Sequence, residues 1–110
     1  MEELIQKVIQ WANDRNIIQG SSAIKQLDKT SEEFNELQRA VALYMNPKAS
    51  EYEDHFSAVV DAYGDILVTL IISSKMLGIN LEGALEQAYE VIRHRKGKMI
   101  DGKFVKEADL

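Results

Sequence analysis

Apolar residues recur at three- and four-residue spacing along most of this chain, and the pattern predicts four helices followed by a short tail. The first helix is expected from about Glu2 to Arg15, with Leu4, Ile5, Val8, Ile9 and Ala12 on one stripe. The stretch NIIQGSS then breaks it, with Gly20 and two serines as turn and capping residues. The second helix is expected from about Ser22 to Tyr44, with Ile24, Leu27, Phe34, Leu37, Val41 and Tyr44 on its apolar side. A break near Thr30 stays open, because Thr30 and Glu33 also form a capping box. The only proline, Pro47, stops this helix. A third helix is expected to begin at Ser50, where Ser50 and Glu53 form a second capping box, and to end near Leu77 before Gly78. Its apolar side is read as Phe56, Val59, Val60, Tyr63, Leu67, Leu70 and Ile71. Asn80 is placed to cap the fourth helix, about Leu81 to Arg95, with Leu81, Ala84, Leu85, Ala88, Val91 and Ile92 on one side. In the tail, Asp101-Gly102 between KMI and KFV is a hairpin turn signal.

Length and charge narrow the function classes. At 110 residues with 45% hydrophobic content, the chain reads as one all-α domain, residues 1–110, able to build a modest core. A small core makes association with copies of itself an expectation. The net charge of −5 argues against wrapping nucleic acid, which rewards basic faces. No cysteine is present, so thiol and zinc-thiolate chemistry are excluded. The start is acidic and amphipathic, unlike a signal peptide, and the run ILVTLII is too short to span a bilayer. A cytoplasmic protein without membrane partners is expected.

The carboxylates carry the candidate chemistry. Gln26, Lys29, Glu33 and Glu36 share a helix face beside the apolar stripe. Asp54, Asp61 and Asp65 share a face of the third helix. Within DAYGD, two aspartates four apart repel, and Gly64 between them costs roughly 1 kcal/mol against alanine. A local cost without local benefit marks a functional or closely packed site. If the two helices pack side by side, the acidic stripes converge, and hard oxygen donors without thiolate suit Mg²⁺, with Mn²⁺ as the alternative. The chemistry such a site favours is attack on phosphate. The competing reading of each stripe is a solvated helix face.

IKQLDKTSEEFNEL, followed after a loop by VVDAYGDILVTLII, resembles the MazG-like branch of the all-α nucleoside triphosphate pyrophosphatases. VIQWANDRNI before it and AYEVIRHRKGKMIDGKFVKE after it look like the small phage- and Gram-positive-type members, so the likeness spans nearly the whole chain. The family motif is E-E-x-x-E, a spacer, then E-x-x-D. The resemblance implies a four-helix fold that oligomerises through a helical bundle, as a homodimer or homotetramer. It implies Mg²⁺-dependent hydrolysis of (d)NTP to monophosphate and pyrophosphate. Glu33 and Glu36 match metal ligands, Glu32 the leading glutamate, and Asp65 the final aspartate. Where the second half's glutamate is expected this chain has Ala62, with Asp61 one position earlier as the substitute ligand.

On this reading Glu32 and Glu33 are the catalytic carboxylates, Glu32 orienting the attacking water, and Glu33, Glu36, Asp61 and Asp65 hold the metal. Lys29 is a candidate for meeting phosphate or for pairing with Glu33 or Glu36. Arg93 and Lys96, in RHRKGK, either complement a helix dipole or bind triphosphate. Trp11 either stacks on a base or joins the core. His55 and His94 read as surface residues. The alternative function is a catalytically degenerate nucleotide-binding protein, suggested by Ala62, or a helical interaction module.

Overall fold

The computed structural model describes residues 1–50 and 53–110. They form α1 (Glu2–Asp14), the single turn α2 (Ile17–Gly20), α3 (Ala23–Met45), α4 (His55–Met76), α5 (Leu81–Ile92), β1 (Gly97–Ile100) and β2 (Lys103–Lys106), then a 3-10 turn at Glu107–Asp109. The described residues are therefore mostly helical with one two-stranded sheet. It divides into two compact units, Met1–Ile79 and Asn80–Leu110.

In the first unit α3 and α4 pack against each other as an antiparallel pair. One end of the pair is tied by the Thr30 hydroxyl, which donates to Thr69 Oγ1 at 2.7 Å. The other is marked by the Tyr44 and Phe56 rings, with centroids 5.7 Å apart. This register sets Glu33 opposite the turn around Ile66, and Leu37 opposite Ala62. Glu33 and Leu37 are buried on α3, and Ala62, Thr69, Ile71, Ile72 and Ser73 on α4. α1 packs on α4 and buries Ile5 and Ala12.

One helix start agrees with expectation and one differs. Ser22 caps α3 by accepting from the Lys25 amide at 3.2 Å, and α3 runs unbroken through Thr30. Thr30 is therefore no cap: its hydroxyl lies within hydrogen-bonding reach of the Gln26 carbonyl, 3.0 Å away, as well as of Thr69. α4 starts at His55, not Ser50, with Asp54 accepting from the Ser57 amide at 2.8 Å. Asn46 explains the delay. Its side chain accepts from the Lys48 amide and its carbonyl from the Ala49 amide, a turn that carries the chain past Pro47 before a helix can restart. Glu51 and Tyr52, which the expected helix included, lie outside the described residues.

Other boundaries follow the sequence closely. Gly78 ends α4 with φ +70°, a conformation that favours glycine. Asn16, with φ 59°, ends α1 and leads into α2, a turn that was expected to be irregular. Asn80 caps α5 by accepting from the Gly83 amide at 2.8 Å. α5 stops at Ile92, short of Arg95, because the His94 and Arg95 amides turn back to carbonyls only three residues earlier. In the second unit Asp101 and Gly102 both have positive φ, the two-residue turn that hairpin strands favour. β1 and β2 pair antiparallel from Gly97 opposite Lys106 to Ile100 opposite Lys103.

The buried set departs from the expected apolar faces. On α4 the seam is made by Ala62, Thr69 and Ser73, while Phe56, Val60, Tyr63 and Leu67 are exposed. On α3, Leu37 is buried but Ile24, Leu27, Phe34 and Tyr44 are exposed. None of the apolar side of α5 is buried. The physical reason is close approach. Small side chains at the seam let two backbones come together, and the bulky residues are left on the flanks.

Candidate functional site

The acidic residues occupy one flank of the α3–α4 pair. With steps of about 100° per residue, Lys29 and Glu36 lie about 40–60° to one side of Glu33, and Glu32 about 100°. On α4, Asp65 and Asp61 lie about 60° and 100° from Ala62. Because the helices run antiparallel, both displacements point to the same flank. The opposite flank carries Leu27 and Phe34 from α3 and Tyr63 and Leu67 from α4.

Glu33 is the buried member of the group, with a side chain 10% exposed. Its Oε1 lies 3.4 Å from Lys29 Nζ. Its Oε2 is buried and has no hydrogen-bond partner. Lys29 also reaches Glu32 Oε2 at 3.5 Å. Its hydrogen bond to Glu33, with that to Glu32, raises the Lys29 pKa above the usual 10.5, so the ammonium stays charged across physiological pH. Of its two sequence readings, Lys29 takes the pairing one here, with Glu33 and Glu32 and not Glu36.

Glu36, Asp61 and Asp65 are exposed and make no hydrogen bond or ion pair. Among the described residues no three His, Asp or Glu side chains close to metal-binding distance. The fold thus brings the five carboxylates to one flank without gathering them into a cage. The donor set still fits a hard divalent cation, since every ligand offered is a carboxylate oxygen. A cation would also satisfy Glu33 Oε2, which nothing else contacts by a polar bond. Glu36, Asp61 and Asp65 can rotate toward it without breaking any contact of their own.

The fold also bears on DAYGD. Ala62, where the resemblance leads one to expect glutamate, is buried on the seam at 6% exposure. Gly64 faces open space, with nothing within 4 Å of where a Cβ would be. Close packing therefore does not account for Gly64. Asp54, which the sequence aligned with Asp61 and Asp65, is engaged as the α4 cap.

The other candidates belong to other elements. Trp11 on α1 is no core residue, at 44% exposure, and the Arg15 guanidinium sits 4.6 Å over its ring. Arg93 and Lys96 belong to the second unit; Arg93 pairs with Glu90 at 3.1 Å and Lys96 has no ion pair.

Two groups escaped the sequence reading. The Thr30 hydroxyl donates to Thr69, whose own hydroxyl donates to the Ile66 carbonyl at 2.8 Å. This polar link crosses the seam one turn from Glu33. Thr30 was masked by its resemblance to a cap, and only the partner at Thr69 reveals its role. His55 is the second: its side chain is 14% exposed, not on the surface, and its buried Nε2 lies 3.7 Å from Glu53 Oε2 without a hydrogen bond.

No family model and no solved structure matches the chain. Among curated proteins, 75 residues are 33% identical to an uncharacterized 18.2 kDa protein from the rep-hol intergenic region of Haemophilus phage HP1. The match covers 68% of this chain and 40% of that protein, so the chain spans about two-fifths of its relative's length.

Proposed function

We propose that this protein is a Mg²⁺-dependent nucleoside triphosphate pyrophosphohydrolase of the MazG-like all-α class, converting (d)NTP to (d)NMP and pyrophosphate. The observation that carries the reading is the buried, unpartnered Oε2 of Glu33 on a flank shared by Glu32, Glu36, Asp61 and Asp65. A carboxylate oxygen held out of water without a donor is costly, and a bound cation offsets that cost.

Glu33, Glu36, Asp61 and Asp65 would hold Mg²⁺, with Mn²⁺ as an alternative. Bound there, the metal supplies neutralisation of the phosphate oxygens. Glu32 orients the water that attacks phosphorus. Lys29, already charged beside Glu32 and Glu33, would be placed to meet a phosphate oxygen. Trp11 stacks a base on the ring face that Arg15 leaves open.

The same proposal includes assembly. Leu27, Phe34, Phe56, Tyr63 and Leu67 are exposed, and a second copy laid against them buries apolar surface that one chain leaves in water. A homodimer or homotetramer built as a helical bundle follows, working in the cytoplasm. α4 is by length and composition able to cross a membrane, with mean hydropathy 1.6. Its exposed Asp61 and Asp65 and its hydroxyl-bearing seam favour a bundle in water instead.

Ala62 favours a second reading, a nucleotide-binding protein without turnover. Both are tested by incubating the protein with each (d)NTP and Mg²⁺ and following pyrophosphate. Release with one or more nucleotides, lost in Glu36→Ala, supports the enzyme. A thermal shift with Mg²⁺ and a non-hydrolysable analogue, without release, supports the second reading. Neither shift nor release leaves only a helical interaction module.

A further inference from the structure

The acidic flank sets Glu32, Glu33, Glu36, Asp61 and Asp65 beside the Lys29 ammonium. Lys29 Nζ lies 3.5 Å from Glu32 Oε2 and 3.4 Å from Glu33 Oε1. Among the described residues no other cationic side chain pairs with any of these carboxylates. The contact is selective within Glu33 itself. One oxygen meets the ammonium, and the other is buried with no donor.

Helix stability does not account for this pair. A lysine placed four residues before a glutamate is the less favourable order on a helix. The Lys29 side chain is 54% exposed, so water could solvate its charge without Glu33, and so exposed an ion pair adds little stability. What the ammonium does change is the local electrostatics. It supplies positive charge to a carboxylate that the fold has taken out of water. A divalent cation would be drawn to the same oxygens and repelled by the same ammonium.

We infer that Lys29 is a built-in competitor of the metal, an internal cation that engages Glu32 and Glu33 in the free protein and keeps its affinity for a divalent cation low. This rests on reading the flank as a metal site. The competition needs no nucleotide, because both of its sides are residues of one helix, α3.

The test is titration of the full-length protein with Mn²⁺ alone, reading unbound Mn²⁺ by its paramagnetic resonance signal. Lys29→Gln should bind about tenfold more tightly than the parent, since an ammonium and a divalent cation at contact distances repel by that order even when screened as in water. Lys29→Arg, which keeps the charge, should bind as the parent does. So should Lys75→Gln, which changes the net charge equally from the exposed far end of α4. Without metal, Lys29→Gln should melt below the parent, because Glu33 loses its ion-pair partner; saturating Mn²⁺ should close that gap. The melting transition also shows that the variant is folded. Affinity of Lys29→Gln equal to or below the parent's overturns the inference and leaves the metal site standing. Binding that Glu33→Gln does not weaken, or no binding by either parent or Lys29→Gln at millimolar Mn²⁺, overturns the inference and the metal site with it.

Discussion

The two flanks of the α3–α4 pair border the same seam and differ in almost everything else. One presents Glu32, Glu36, Asp61 and Asp65 around a buried Glu33; the other leaves Leu27, Phe34, Tyr63 and Leu67 in water. Neither is comfortable in a single chain. The acidic flank holds a buried carboxylate oxygen without a donor, and the apolar flank exposes aromatic rings. On the proposed function a cation would relieve the first and a second copy of the chain the second. A helix pair that minimised its own energy would have neither, so the difference between the flanks is the strongest functional signal in the molecule.

The largest expected effect is on the acidic flank. Glu36→Ala should cut pyrophosphate release by more than the roughly 10- to 100-fold lost when only an outer partner of a metal ligand is removed. Because Glu36 is exposed and unpaired, its melting temperature should stay with the parent's; a fall in both would mean that Glu36 is structural.

The apolar flank should respond in assembly. On the proposed assembly, Phe34→Lys with Tyr63→Lys should leave a monomer in analytical ultracentrifugation, since a charge placed in an apolar interface is left unpaired. An unchanged sedimentation coefficient would show that this flank is not where copies meet.

The seam between them can be probed with less disruption. Thr69→Val removes the cross-seam bond from Thr30 at nearly constant volume and should cost about 1–2 kcal/mol in urea unfolding. A variant as stable as the parent would mean that the hydroxyl pair does not hold the register. The smallest effect on stability is expected from Glu33→Met, which replaces the buried carboxylate with an apolar chain of similar size. It should raise stability by about 1 kcal/mol while abolishing turnover. Lower stability would show that the Lys29 pair outweighs the orphaned oxygen.

Much of the local structure could be read in advance, and the reasons are specific. Gly78 and Asn80 mark a helix end and a helix start through side-chain properties that act within one turn. Asp101-Gly102 dictates its hairpin because few residues accept two successive positive φ values. The capping boxes were less dependable. Thr30-Glu33 and Ser50-Glu53 have the right spacing, yet Ser22 and Asp54 do the capping. Spacing alone does not tell a threonine that starts a helix from one that bonds across to a neighbouring helix.

What the chain's order of residues determined by itself was the helical period, the tail hairpin, the oxygen-only donor set and the basic segment near its end. These depend on neighbours a few positions away. Only the tertiary structure decided which apolar residues are buried, and that Glu33 alone of the acidic group is taken out of water. An amphipathic helix of this kind has more apolar surface than one neighbour can cover. The antiparallel register, set by the small residues that allow two backbones to approach, chose Ala62, Thr69 and Ser73 for the seam and left the larger side chains outside.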